Sequence, residues 1–371
     1  MDFDFTDDQE QLRDAVGKWV ERSYSFERRR ELVAQGGFSA QTWQELAELG
    51  LMALATSDEH GGMGMGPVEA MIVMEQLGQG LVMDALTQTW MVSQVLQNHA
   101  EPSVQQAHLP KLASGETRCV LAHQERSARY RHLACEAVAK PGAGSTWTVT
   151  GLKSVVPMAA HAHAFVFPAQ MDGRLALFWV QADAPGVQVR PYAAQDGSSS
   201  GDVQCDQAPA TLITVDGEAA LDWCADFGVA MACAEAVGIM DRSVRMTAEY
   251  LNTRKQFGVV IASFQALRHR LADMKMQLEL GRSMSFYATL KLGEAPRERR
   301  QAMARAKHQL SQSMRCVGQQ AIQLHGGIGV TDEYMVGHCF KRLTQLELSW
   351  GDGLHHLGVV SDHMQDTAGV F

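Results

Sequence analysis

The sequence predicts a mainly helical α+β chain: an N-terminal helical domain over 1–118, a small sandwich- or barrel-like β domain over 119–217, and a C-terminal four-helix bundle over 218–371. Three observations predict it. Apolar residues recur in steps of three and four at both ends of the chain. Short runs of β-type residues separated by turn residues fill the middle. At 371 residues the chain is also too long for one small module.

The helical start is marked by Thr6-Asp7-Asp8-Gln9, a capping box in which Thr6 caps and Gln9 reaches back. Leu12, Val16, Trp19 and Val20 follow at helical spacing. A second helix fits Ala40 to Leu49 and stops at Gly50, the residue suited to a left-handed C-terminal position. Gly61 to Pro67 reads as a loop, followed by a helical run through Glu69, Ile72, Val73 and Leu77. The glycines there match neither a dinucleotide fingerprint nor a P-loop. From Cys119 the pattern becomes strand-like: Thr146 to Thr150, Ala164 to Phe167, Leu175 to Val180 and Gly186 to Arg190, with Asp196 to Asp202 as a loop. Helices resume at Glu218. Phe264, Leu267, Leu271, Met274 and Leu278 form a packing stripe, Glu294 to Arg297 breaks the pattern, and another helix runs to about Leu324. A last helix fits Leu343 to Met364, interrupted around Gly351 to Gly353.

Composition excludes several functions. Lys and Arg number 32 against 42 Asp and Glu, a net charge of −10 with no basic run, which argues against nucleic acid. No stretch of about 18 uncharged apolar residues predicts a membrane span. The acidic start Met1-Asp2-Phe3-Asp4-Phe5 lacks a secretory leader's pattern, so a cytoplasmic location is expected. Seven cysteines without a C-x-x-C spacing predict reduced thiols, and the adjacent His355 and His356 make a poor metal pair, so no metal is expected.

Three segments carry a resemblance. Tyr250 to Gly258 contains Arg254 and Phe257 and is followed by Phe264-Gln265. Gln323-Leu-His-Gly326-Gly327-Ile-Gly329 is the second, and Glu48 to Leu51 with Glu59 to Gly64 the third. In this order, across nearly the whole chain, they resemble the acyl-CoA dehydrogenase family of flavoproteins. The resemblance implies FAD, an acyl-CoA substrate, α,β-desaturation and an electron-transfer flavoprotein as acceptor. It assigns cofactor binding to Arg254, Phe257, Gln265, Gln323, Gly326 and Gly327, reached by FAD of a neighbouring subunit. The chemistry agrees: a guanidinium meets a pyrophosphate with paired hydrogen bonds, and glycines let backbone approach a ligand closely.

The chain also departs from that pattern. The desaturation needs a carboxylate base, and at the usual position, before a Gly-Thr, this chain has Trp350-Gly351-Asp352. The alternative family position falls at Gly228. The nearby acids Glu347, Asp226 and Asp352 are the substitutes, Glu347 being also readable as an ordinary polar helix residue. Gly151-x-Lys153 is kept, but the segment that flanks the flavin ring reads Val155-Val156-Pro157, and His123-Gln-Glu125-Arg126 lacks the expected Gly-Ser-Asp. The pattern resembles the small subunits of heteromeric acyl-CoA dehydrogenases, such as pimeloyl-CoA and steroid-degrading enzymes. It implies a homologous partner chain in an α2β2 heterotetramer, with a dicarboxylyl- or steroid-type acyl group. Two alternatives stand beside it: a self-sufficient homomeric dehydrogenase with a relocated base, and a non-catalytic binding or regulatory protein on the same fold.

Overall fold

The computed structural model describes residues 5–83, 85–142 and 146–368. The acidic start at residues 1–4 lies outside them. Eleven α-helices and nine strands occur among the described residues, in the order helices, strands, helices. The chain packs as two units. One comprises residues 1–29, 67–82 and 229–371; the other comprises 30–66 and 83–228.

In the first unit, α1 (Asp7–Ser23) carries the capping box: Thr6 Oγ1 accepts from the Gln9 N–H, and Gln9 Oε1 accepts from the Thr6 N–H at 3.0 Å. Here α4 (Pro67–Gly80) crosses the long α7 (Gly217–Thr253), whose residues from Val229 to Met240 are all buried. The crossing is close because two glycines face it. A Cβ on Gly238 would stand 1.9 Å from the Glu75 carbonyl, and one on Gly78 would stand 2.4 Å from that of Glu235. By length and composition α7 could cross a membrane, but 94% of its most apolar window is buried inside the fold. That is what a helix apolar all round does in a protein core.

Antiparallel to it in register, α8 (Gln265–Leu290) packs on α9 (Pro296–His325): Arg270 donates to Gln320 Oε1 at 3.2 Å and Ser313 to Gln277 Oε1 at 3.0 Å. The stripe expected on α8 is only half realised. Met274 and Leu278 are fully buried, whereas Phe264, the N-cap residue of α8, is 39% exposed. The interrupted last helix is two helices, α10 (Met335–Leu348) and α11 (Gly353–Ala368), separated by a turn in which Gly351 takes φ 107°. Both pack on α9.

In the second unit, α3 (Ala40–Glu48), α5 (Leu86–His99), α6 (Pro102–Ala113) and the part of α2 (Phe26–Ala34) from Arg30 onward accompany a seven-stranded sheet. Its strands are β1 (Cys119–Leu121), β2 (Val138–Pro141), β3 (Trp147–Pro157), β4 (Ala164–Met171), β5 (Arg174–Gln181), β6 (Val187–Ala193) and β7 (Ser199–Thr214). The path β4-β2-β3-β7-β5 returns to β4 and closes a barrel, with β1 parallel on β4 and β6 on β7. Closure leaves few free edges on a sheet this small. The expected loop over Asp196 to Asp202 is shorter than its composition predicts. Asp196 Oδ1 accepts from the Ser198 N–H and hydroxyl in a tight turn, and β7 starts at Ser199, pairing with Ala193. Strand pairing overrides the turn preference of the serines.

Candidate cofactor half-site and the position of the base

The residues assigned to the cofactor converge on one end of the helical unit. The register of α8 on α9 sets the start of α8 against the end of α9, so Gln265 and Gln323 lie near each other. Tyr250, one turn before Arg254, stacks on His325 with ring centroids 4.5 Å apart. Phe257 meets Phe264 edge-on at 6.1 Å. These contacts gather Arg254, Phe257, Gln265, Gln323, Gly326 and Gly327 into one neighbourhood.

All six are exposed, and Phe257 is 91% exposed. A solvated phenylalanine of that extent costs hydrophobic free energy that only a ligand or another chain can recover. A short hairpin, β8 (Lys255–Gln256) with β9 (Val259–Val260), presents it. Gly326 ends α9 with φ 62° and ψ −139°, a conformation restricted to glycine. A Cβ on Gly326 or Gly327 would meet nothing within 4 Å, so packing inside this chain does not demand a glycine at 327. Open backbone, a guanidinium, two amides and an uncovered aromatic ring fit the pyrophosphate and adenosine half of FAD. Arg254 would meet the pyrophosphate, Gln265 and Gln323 would supply polar contacts, and Phe257 would pack on the cofactor.

The base position is built differently. Trp350 adopts φ 59°, an unusual conformation for a bulky residue. The turn that carries it is tied at nearly every step. Lys307 is fully buried on α9 and donates to the carbonyls of Leu346 at 2.5 Å and Ser349 at 2.6 Å. Burial pulls its ammonium down to about 8, with Cys233, Glu347 and Asp352 opposing. His356, also fully buried, hydrogen-bonds the Trp350 carbonyl through Nε2 at 3.0 Å. Burial, aided by Lys307, holds its imidazole neutral, down to about 2. His308 Nδ1 meets the Gly353 carbonyl at 3.0 Å.

The substitute carboxylates are engaged as well. Glu347, 4% exposed, accepts from Arg315 at 2.9 Å and from the Gly353 N–H at 3.3 Å. Asp352 accepts from the His355 N–H at 2.8 Å, the N-cap bond of α11. The third acid, Asp226, is 1% exposed on α7 in the barrel-containing unit, where Gly228 is buried too. The structure thus brings Glu347, Trp350 and Asp352 together in one turn, and Asp226 belongs to the other unit.

Sequence alone gives Lys307 no role and weighs His356 only as half of a poor metal pair. A signal for Lys307 exists: it falls in the buried stripe Met303, Leu310, Met314 of α9, where a lysine must find acceptors.

At the flavin-ring segment, Lys153 is fully buried and paired with Glu125 Oε1 at 2.7 Å. Burial pushes the Glu125 carboxyl up, but Lys153 and the N–H groups of Glu136 and Ala137 together bring it below the usual range. Beyond this pair the strand bulges. Val155 takes φ 56°, is 42% exposed, and donates its N–H to Tyr192 Oη at 3.0 Å. A β-branched residue held in that region is strained.

The chain matches the descriptions "Acyl-CoA dehydrogenase, N-terminal domain" over residues 6–116 and "Acyl-CoA dehydrogenase, C-terminal domain" over residues 216–363. Together these matches span well over half of the chain. It is 27% identical to the acyl-CoA dehydrogenase FadE27 of Mycobacterium tuberculosis, over 99% of this chain and all of that one. Among solved structures it is similar to the ChsE4-ChsE5 complex of M. tuberculosis (TM-score 0.90, 26% identity, 99% of this chain and 100% of that one). The steroid dehydrogenase Tcur3481-Tcur3483 is similar to the same degree (TM-score 0.89, 26% identity, 98% and 99%). With these matches at both ends of the chain and a helical, barrel and helical order in the fold, the chain belongs to the acyl-CoA dehydrogenase family of FAD-dependent CH–CH oxidoreductases.

Proposed function

We propose that this chain is the subunit of a heteromeric acyl-CoA dehydrogenase that completes FAD binding for a homologous partner and does not supply the base. One observation carries the reading. The turn at the base position is locked around a tryptophan with its nearby carboxylates already bonded, while the cofactor half-site lies open. Bound FAD supplies the two-electron acceptor of the desaturation. In this reading Arg254, Phe257, Gln265, Gln323 and the backbone of Gly326 and Gly327 hold and orient it, and the partner contributes the glutamate and most of the acyl pocket. An α2β2 assembly, electron-transfer flavoprotein as acceptor, and a steroid- or dicarboxylyl-type acyl group follow from the same resemblance. Similarity to a structure described as a steroid dehydrogenase supports the steroid class.

The test is the absorbance spectrum of the chain purified alone and after co-expression with a neighbouring dehydrogenase-like chain. A colourless single chain and a yellow pair are expected, with one flavin per pair. A single chain that is yellow and is bleached by acyl-CoA would refute the proposal and return the search for a base to Asp226, Glu347 and Asp352.

A further inference from the structure

Inside the barrel unit a thiol, an amine and a carboxylate meet in one cluster. Cys135 Sγ lies 3.4 Å from Lys153 Nζ and 3.4 Å from Glu125 Oε1, and those two are 2.7 Å apart. Lys153 is held in place from several sides. Its side chain is fully buried, its Nζ lies 4.9 Å from the Phe167 ring centre, and Glu125 is itself fixed by the N–H groups of Glu136 at 2.7 Å and Ala137 at 3.1 Å. Cys135 differs from most thiols of the chain. Cys119, Cys205, Cys224, Cys233 and Cys339 are buried, whereas Cys135 and Cys316 are half-buried and within reach of a small oxidant. Of these two, Cys135 has an amine at contact distance.

We infer that Cys135 and Lys153 form a reversible covalent cross-link when the protein meets a peroxide, a direct nitrogen–sulfur bond made through the sulfenic acid. In the first step the thiol is oxidised by two electrons and the peroxide O–O bond breaks: Cys135–SH and hydrogen peroxide give Cys135–SOH and water. In the second step the Lys153 ammonium passes a proton to the sulfenic oxygen, the amine attacks sulfur, the S–O bond breaks, and the oxygen leaves as water. The protonated sulfenamide so formed is far more acidic than an ammonium and gives its extra proton to Glu125 across the 2.7 Å hydrogen bond. The products are Lys153–NH–S–Cys135 and a protonated Glu125. An external thiol reverses the bond, forming a disulfide with Cys135 and returning the amine. Burial raises the Cys135 thiol above its ordinary range, with Lys153 opposing that rise, so the thiol is not a broadly reactive thiolate. Contact with the amine gives the sulfenic acid a partner before further oxidation. The cross-link removes the charge of Lys153 and ties β3 to the segment before β2, two residues ahead of the strained Val155.

The test exposes the full chain, with any partner that co-purifies, to hydrogen peroxide. Thiols are then capped in denaturant and the digest is read by tandem mass spectrometry with and without dithiothreitol. The expected product joins the peptides carrying Cys135 and Lys153 at about 2 Da less than their sum, blocks tryptic cleavage after Lys153, and disappears on reduction. Cys135→Ser abolishes it, and Lys153→Met leaves Cys135 to advance to sulfinic acid. The wild-type digest decides the matter alone should the lysine variant fail to fold. Sulfinic or sulfonic Cys135 beside a free Lys153 in the wild-type chain overturns the inference. So does a linked pair about 14 Da heavier than its sum, which would carry a bridging oxygen, or oxidation of Cys316 with Cys135 left reduced.

Discussion

Replacing Lys307 with methionine tests whether a buried ammonium holds the Trp350 turn. Lys307 has no solvent exposure and donates to two backbone carbonyls, those of Leu346 and Ser349, at the end of α10. Its ionisation is pulled from 10.5 in the open chain to about 8, first by burial. Below about pH 8 both folded and unfolded lysines are protonated, and the cost of burying the charge is fully present. Between about 8 and 10.5 the unfolded chain binds the extra proton, so the contribution of Lys307 to stability rises with pH by about 3 kcal/mol, most of it gained by about pH 10. Cys233, the thiol that faces Lys307, is pushed up to about 12 by burial and stays protonated throughout that window. Lys307→Met removes this slope. Near pH 7 the variant gives up two hydrogen bonds, about 1–3 kcal/mol each, but is relieved of the buried charge, so it unfolds close to wild type. Near pH 10 it lags by about 3 kcal/mol. Urea unfolding of both proteins across this range gives the difference directly, and every other titrating group cancels in it. Parallel curves, with a constant offset from neutral to alkaline pH, would show that Lys307 is not a titrating buried charge and would refute the argument.

Two further substitutions probe the half-site and the helix crossing. Arg254→Ala should lower FAD retention by the assembled pair about tenfold to a hundredfold, the loss of a charge-assisted contact. Because Arg254 is exposed, the melting temperature of the chain alone should not move; fluorescence titration with FAD that shows unchanged affinity would remove Arg254 from the cofactor. Gly238→Ala drives a Cβ to 1.9 Å from the Glu75 carbonyl and should destabilise by about 3 kcal/mol or more, whereas Gly358→Ala, with open space on α11, should stabilise by about 0.5–1 kcal/mol. Denaturation midpoints that move in the same direction for both variants would contradict the close crossing.

The fold was legible because its signals are periodic. The capping box at Thr6, the breaks at Gly50 and Glu294, and the gap around Gly351 all stand where local chemistry puts them. What sequence could not show depends on neighbours distant in the chain. The serines at 199 and 200 enter β7 because β6 is there to pair with them. The exposure of Phe264 and Phe257 is equally invisible to periodicity, since an apolar residue at helical spacing reads as core whether or not another element covers it. In the half-site the residues were legible as a motif. Their convergence needed the register of α8 on α9, a tertiary fact.

The contrast between the Trp350 turn and the candidate half-site bears on why a chain would keep this fold without a carboxylate at position 350. A base merely lost to drift leaves a polar turn with no reason to be rigid, since nothing there needs positioning. Here the reverse holds: a buried lysine, two histidines and a buried carboxylate are bonded to the backbone on either side of Trp350, and a bulky residue is kept in a left-handed conformation. Strain of that kind costs about 1–3 kcal/mol and persists only where its surroundings over-determine it. Meanwhile the polar and aromatic groups at the candidate half-site remain uncovered within the chain, as a site completed across an interface requires. Rigidity at position 350 and openness at the candidate half-site support the proposal that this chain completes a partner's site.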